Sequence, residues 1–286
     1  MQPEELFNEI QAIKDFQKDV KNIAKYMDAF TKLKTADAEV LDKIGKALKA
    51  LPQSETMVQA IEELRNKGTK LLEIAYQQRA DGFKRCETAF IHMAKEAGKP
   101  VREFTQGWRI GPVEMQVKRE EARASFLYNG ESLIKWQPVS SADDLVAMEK
   151  KALSMLEQAA LSEELLVNVF WEAYQEAGKR NRGFNQSLVQ LADLYREVRI
   201  TLIRHSLDGK APQKKLDQYT DFPKWAYLYN LDLLRALGSK VPAEQRLAFQ
   251  TGSMNEVSKG KGFVLNGLDA MNEYKVMVYV SAASGV

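Results

Sequence analysis

At Pro100 the spacing of apolar residues changes from the three-and-four rhythm of packed helices to strict alternation. A chain that does this must place a sheet among helices. Val113, Met115 and Val117 alternate with Glu114, Gln116 and Lys118, and Ala122, Ala124, Phe126 and Tyr128 alternate with Arg123, Ser125 and Leu127. Asn129-Gly130 stands between two strand-like runs, where its tolerance of positive φ makes it the strongest short-range hairpin signal. Gly111-Pro112 marks another turn. Residues 100–139 are therefore expected to form a small antiparallel meander.

Before Pro100 the chain reads as helical. Leu6 and Ile10 lead into Ile13, Phe16, Val20, Ile23, Met27 and Phe30, a heptad seam of the kind that packs helices side by side. This seam is expected to be buried against another helix, from this chain or from a partner. A short helix follows Thr35, with Val40, Ile44, Leu48 and Leu51 inward, and Pro52 ends it. A third helix is expected from about Ser54 to Ala97, with Met57, Ile61, Leu64, Leu71, Ala75, Cys86, Phe90 and Met93 as its stripe. Gly98 and Pro100 stop it.

After the meander, helices are expected over 142–160, from Ser162 to Gly178, over 186–206, over 222–237 and, briefly, over 243–250. The tail reads as extended at Phe263–Leu265 and again at Lys275–Ala282, where Val276, Val278 and Val280 share a face. It is expected to complete the central sheet. The reading is an α+β fold, predominantly helical. It has an N-terminal coiled-coil-like hairpin (1–99), the meander (100–139), a C-terminal helical bundle (140–262) and an extended tail (263–286).

Composition narrows the class. Hydrophobic residues make up 45% and charged residues 28% of the 286, an ordinary globular balance. The formal net charge is only +2, which excludes a grossly basic nucleic-acid arm. A single cysteine, Cys86, rules out an intramolecular disulfide and suits a reducing, cytoplasmic setting. With two histidines beside it, an all-His/Cys zinc site within one chain is not expected, nor is any other cofactor. MQPEELFNEI carries no apolar h-region, so no secretory signal and no membrane role are expected.

Phosphate-cradling loops, a GxSxG elbow and an HExxH helix do not occur in the sequence. Two Arg-to-His spacings do carry chemistry: Arg85 to His92 with six residues between, and Arg199 to His205 with five. This spacing resembles the Rx4–6H motif of HEPN-type ribonucleases. The resemblance implies metal-independent RNA cleavage, the imidazole exchanging the 2′-hydroxyl proton and the guanidinium stabilising phosphate charge. Asp269 with Glu273-Tyr274-Lys275 faintly resembles a PD-(D/E)xK nuclease core, but too little chain follows for that core's flanking helix. Long helices around a small hairpin also resemble pore-formers with a β-tongue. Glu114, Lys118, Arg119, Glu120, Glu121 and Arg123 make this hairpin too charged to insert.

Charge is unevenly distributed. Residues 1–178 carry a balance of −4 and residues 179–286 a balance of +6. The excess lies in Lys179, Arg180, Arg182, Arg196, Arg199, Arg204, Lys210, Lys214 and Lys215, followed by Tyr219 and Phe222. Cations beside aromatics are what phosphate neutralisation and base stacking require. The sequence thus supports a non-catalytic accessory subunit of a larger assembly. Its N-terminal helices would bind a protein partner or a second copy, and its basic C-terminal half would contact DNA or RNA.

Overall fold

The computed structural model describes residues 58–180, 188–209, 222–242 and 245–284, with positions 17, 18, 21, 24, 42, 45 and 46 before them. The chain divides into two compact units, one of residues 1–86 with 118–123, the other of 87–117 with 124–286. The seam from Ile13 to Phe30 lies outside the described residues, as do Arg182, Lys210, Lys214, Lys215 and Tyr219. The fold is α+β, with six helices and two antiparallel sheets among the described residues.

Helix α1 runs Val58–Glu96. In the smaller unit its Ala75 and Phe83 are buried, while Ile74 and Tyr76 face solvent. The turn at 118–123 closes with Ala122 N–H donating to Arg119 O at 3.1 Å and a Lys118–Glu121 ion pair at 3.2 Å.

In the larger unit, α1 ends in a Schellman motif. Gly98 takes φ +71, its N–H donates to Lys95 O at 2.9 Å, and Lys99 N–H donates to Ala94 O at 3.0 Å. The meander follows as β1 (Val101–Phe104), β2 (Gly107–Ile110), β3 (Val113–Lys118), β4 (Arg123–Tyr128) and β5 (Glu131–Pro138), paired in that order. Asn129 and Gly130 both take positive φ, 48° and 76°, which matches the twist of the strands they join. One face packs on the end of α1. Phe90 meets Phe126 edge-on at 6.4 Å, and Trp108 Nε1 donates to the buried Glu87 at 2.7 Å. Met93, expected in the stripe, is exposed instead.

Helix α2 (Ala142–Ala159) opens with a Ser141/Asp144 capping box. The Asp144 carboxylate accepts from Ser140 and Ser141, and these bonds, Ser140's foremost, hold its pKa below the usual range. Lys99 docks on the buried Glu149 of α2 at 2.7 Å from both carboxylate oxygens. Helices α3 (Glu163–Arg180) and α4 (Leu191–Leu207) pack together, and α5 (Lys224–Ala236) packs against α3. Tyr227 of α5 lies at the centre. Its fully buried ring stacks on Phe170 at 5.8 Å and meets Tyr195 at 4.8 Å and Phe263 at 5.7 Å.

A second sheet replaces two expected helical segments and the expected role of the tail. Strands β6 (Leu188–Gln190), β7 (Lys240–Val241), β8 (Gln245–Thr251), β9 (Phe263–Leu265) and β10 (Lys275–Ser284) pair in the order β6-β10-β8-β7, with β9 also on β10. Residues 245–250, expected to be helical, are strand because the ten-residue β10 supplies a partner for every residue of β8. The start of the 186–206 helix is likewise strand, since 188–190 pair with 279–281. The tail therefore forms the middle of its own sheet and does not extend the meander. A five-residue helix, α6 (Met254–Ser258), precedes β9. Gly262 passes so close to the Met277–Val278 backbone that a Cβ there would collide with it.

Candidate functional site

Of the basic stretch, Lys179, Arg180 and Arg196 lie where the last turn of α3 meets the first turns of α4. Arg180 reaches across to Glu197 at 2.6 Å, and Arg196 approaches the same carboxylate at 3.7 Å. Glu197 is only 2% exposed, whereas both arginines extend into solvent. Such a carboxylate is stable only with cations beside it. Lys179 pairs with Glu176 at 2.9 Å, and that bond, with the lysine charge and lesser help from Arg204 and Arg180, holds Glu176 below the usual carboxylate range. Arg199 lies over the Tyr195 ring at 5.8 Å, and Arg204 is exposed. Phe222 is buried, and its carbonyl accepts from the Tyr195 hydroxyl at 2.8 Å. The ring assigned to base stacking belongs to the core. Phe222 sits directly before Pro223, the N-cap of α5.

The Arg-to-His spacings are separated by their partners. His205 is 4% exposed, and its Nε2 meets Glu172 of α3 at 2.8 Å. Its Nδ1 is buried without a hydrogen-bond partner among the described residues. Arg199, six residues earlier on one continuous helix, is directed to Tyr195 instead. A helix sets residues six apart about 120° from each other, which is the reason. His92 is 72% exposed and pairs with Glu96 at 3.2 Å, one turn on. Arg85 is exposed on the same helix.

A different polar constellation was not singled out by the sequence reading. Strand register places Arg102 of β1 opposite Arg109 of β2, and Arg109 opposite Glu114 of β3. Partners in register share a face. The three therefore form one row across the sheet. The loop before β10 covers that row. Arg109, 7% exposed, donates from Nη2 to the Asn266 and Gly267 carbonyls at 2.6 and 2.8 Å and from Nη1 to the Asn272 carbonyl at 3.2 Å. Its Nε is buried without an acceptor among the described residues. Glu114 accepts from the Asn266 amide and from the Gly130 N–H. Burial pushes the Glu114 carboxyl up, against the opposing pull of Arg109 and these two donors. Burial likewise lowers the Arg109 guanidinium from its ordinary value.

Between β1 and this loop lies a pocket of 430 Å³, lined by Arg102, Phe104, Arg109, Glu114, Asn272 and Tyr274 among others. Tyr274, the middle residue of the Glu273-Tyr274-Lys275 triplet, stands 69% exposed at its rim. Among the described residues no three His, Cys, Asp or Glu side chains gather as metal ligands, and no helix is long and apolar enough to cross a membrane. Comparison with protein-family models, with curated proteins and with solved structures finds no match for this chain.

Proposed function

We propose that the chain is a non-catalytic accessory subunit that works by binding. It would dock a partner helix, or a second copy, on the seam Ile13, Phe16, Val20, Ile23, Met27 and Phe30. The observation that carries this reading is the employment of the chemistry-bearing side chains in holding the fold together. His205 is buried against Glu172, and Arg180 is spent on the buried Glu197. A ribonuclease needs its imidazole and guanidinium at a shared, accessible phosphate. The HEPN-like alternative asks His205 and Arg199 to leave the partners they have. The charged meander tip, with Lys118, Glu121 and Arg123 paired among themselves, lends no support to the pore-forming alternative.

Nucleic acid remains the second partner in this reading, supported by the gathering of Lys179, Arg180 and Arg196 around two carboxylates at one helix end. A single experiment addresses both arms. End-labelled RNA incubated with the full chain, with and without Mg²⁺, is expected to stay intact, equally for wild type, His92→Ala and His205→Ala. Cleavage by the wild type that either substitution abolishes would replace the accessory reading with an enzymatic one. In the same samples, RNA bound through this helix end should dissociate steeply as salt rises, and Arg180→Gln should shallow the log–log slope by about 0.7 on single strands.

A further inference from the structure

The pocket beside β1 has features that packing alone does not explain. Arg102 and Arg109 stand opposite each other in register, so two guanidinium groups share one face. Arg102 is exposed and makes no ion pair among the described residues. Arg109 is 7% exposed at the pocket wall, and its Nε still lacks an acceptor there. An unsatisfied donor on a buried cation is costly and is usually met by a protein group, a water or a ligand. The carboxylates do not cancel this charge evenly. Glu114 is engaged by Arg109, Asn266 and the Gly130 N–H. Glu103 also borders the pocket, but it follows Arg102 by one residue and stands opposite Trp108, so it is rooted on the other face of the sheet.

Apolar and reading groups complete the site. Phe104, two residues after Arg102, shares its face, and Tyr274 is the exposed aromatic ring of the covering loop. Asn272 is exposed and borders the pocket, whereas the side chain of Asn266 is taken by Glu114. A volume of 430 Å³ is in the ordinary range for small-molecule sites.

We propose that this pocket binds a nucleoside monophosphate, with the phosphate on Arg102 and Arg109, the base against Phe104 and Tyr274, and the Asn272 amide at the base edge. Planar guanidinium groups suit phosphate oxygens, and aromatic rings accept the face of any base. The site extends beyond the assembly role and does not depend on it. The same chemistry reaches the pocket as a free nucleotide or as the 5′-phosphorylated end of a strand.

The test titrates AMP, GMP, CMP and UMP separately into the full chain by calorimetry, with the matching nucleosides and a 5′-phosphorylated dinucleotide as further arms. At least one nucleotide is expected to bind with a dissociation constant below about 1 mM. Its nucleoside should bind at least about tenfold more weakly, through loss of a charge-assisted contact. Arg102→Gln should erase that difference, and Tyr274→Ala should weaken binding roughly five- to hundredfold. Both residues are exposed, so both variants should melt with the wild type. The dinucleotide binding more tightly than any mononucleotide would identify a strand end as the natural form. Absence of heat for all four nucleotides at ~5 mM, or wild-type affinity in both variants, would overturn the proposal.

Discussion

Asp232→Ala should destabilise the larger unit by about 3–5 kcal/mol, the cost of removing one partner from a buried charged network. Asp232 is 2% exposed and holds three groups. Its Oδ2 accepts from the Tyr128 hydroxyl at 2.8 Å and the Asn129 amide at 3.1 Å, and its Oδ1 accepts from Arg235 at 2.7 Å. The Tyr128 hydroxyl is a donor there, since burial and the Asp232 charge hold its pKa far above the ordinary value. Without the carboxylate a fully buried phenol loses its acceptor, and α5 loses its tie to the β4–β5 turn. The effect reaches further, because Asn129 Oδ1 accepts from the Asn266 N–H at 2.6 Å, where the loop begins to cover the meander. Urea unfolding measures the loss. Tyr128→Phe should cost only about 1 kcal/mol, and the double variant should cost less than the two changes added, because they share one bond. A loss below about 1 kcal/mol for Asp232→Ala would mean that this network contributes little.

Tyr227→Ala is expected to cost a similar amount, about 3–5 kcal/mol, for a different reason. Its ring touches residues of α3, α4 and β9, so truncation opens a cavity where helices and the second sheet meet. Its hydroxyl donates to the Leu191 carbonyl at 3.1 Å at the start of α4. Tyr227→Phe keeps the ring and loses only that bond, about 1 kcal/mol. Thermal melts of the pair separate packing from hydrogen bonding. Equal losses in the two variants would place the stabilisation in the hydroxyl.

Local signals made much of this fold legible. The Gly98 stop, the helix start at 142 and the Asn129-Gly130 hairpin are each written within a few residues and recur where expected. The tail strands at 263–265 and from Lys275 onward were read as extended, but the rest of the second sheet was not legible because its information is distant. Strands β6 and β7 are three and two residues long, and β6 becomes strand only by pairing with β10, some ninety residues later. Residues 245–251 carry no strict alternation, and tertiary pairing decides their state.

The pocket was hidden by a sound argument applied to the wrong geometry. In a period-two strand, Glu114 reads as the solvent face opposite Val113 and Met115. It is 9% exposed because a loop from the far end of the chain covers that face too. A usable signal did exist. Counting outward from the Gly111-Pro112 turn sets Arg109 opposite Glu114, a cross-strand pair of opposite charge. Of the basic stretch, the positions were readable but the cross-helix partner of Arg180 was not, since Glu197 comes from a different helix.

Native mass decides whether the chain works by binding. Light scattering on size-fractionated, gently prepared extract of its source cells, beside the purified chain, gives it directly. The accessory reading predicts a mass well above the chain's own 32.4 kDa in extract. The purified chain should fall to its own mass or a small multiple of it. Ile23→Asp combined with Met27→Asp should abolish the larger species, since each aspartate puts an unpaired charge into the seam. A chain that elutes at the same mass in extract and alone, with no response to the double substitution, would contradict it.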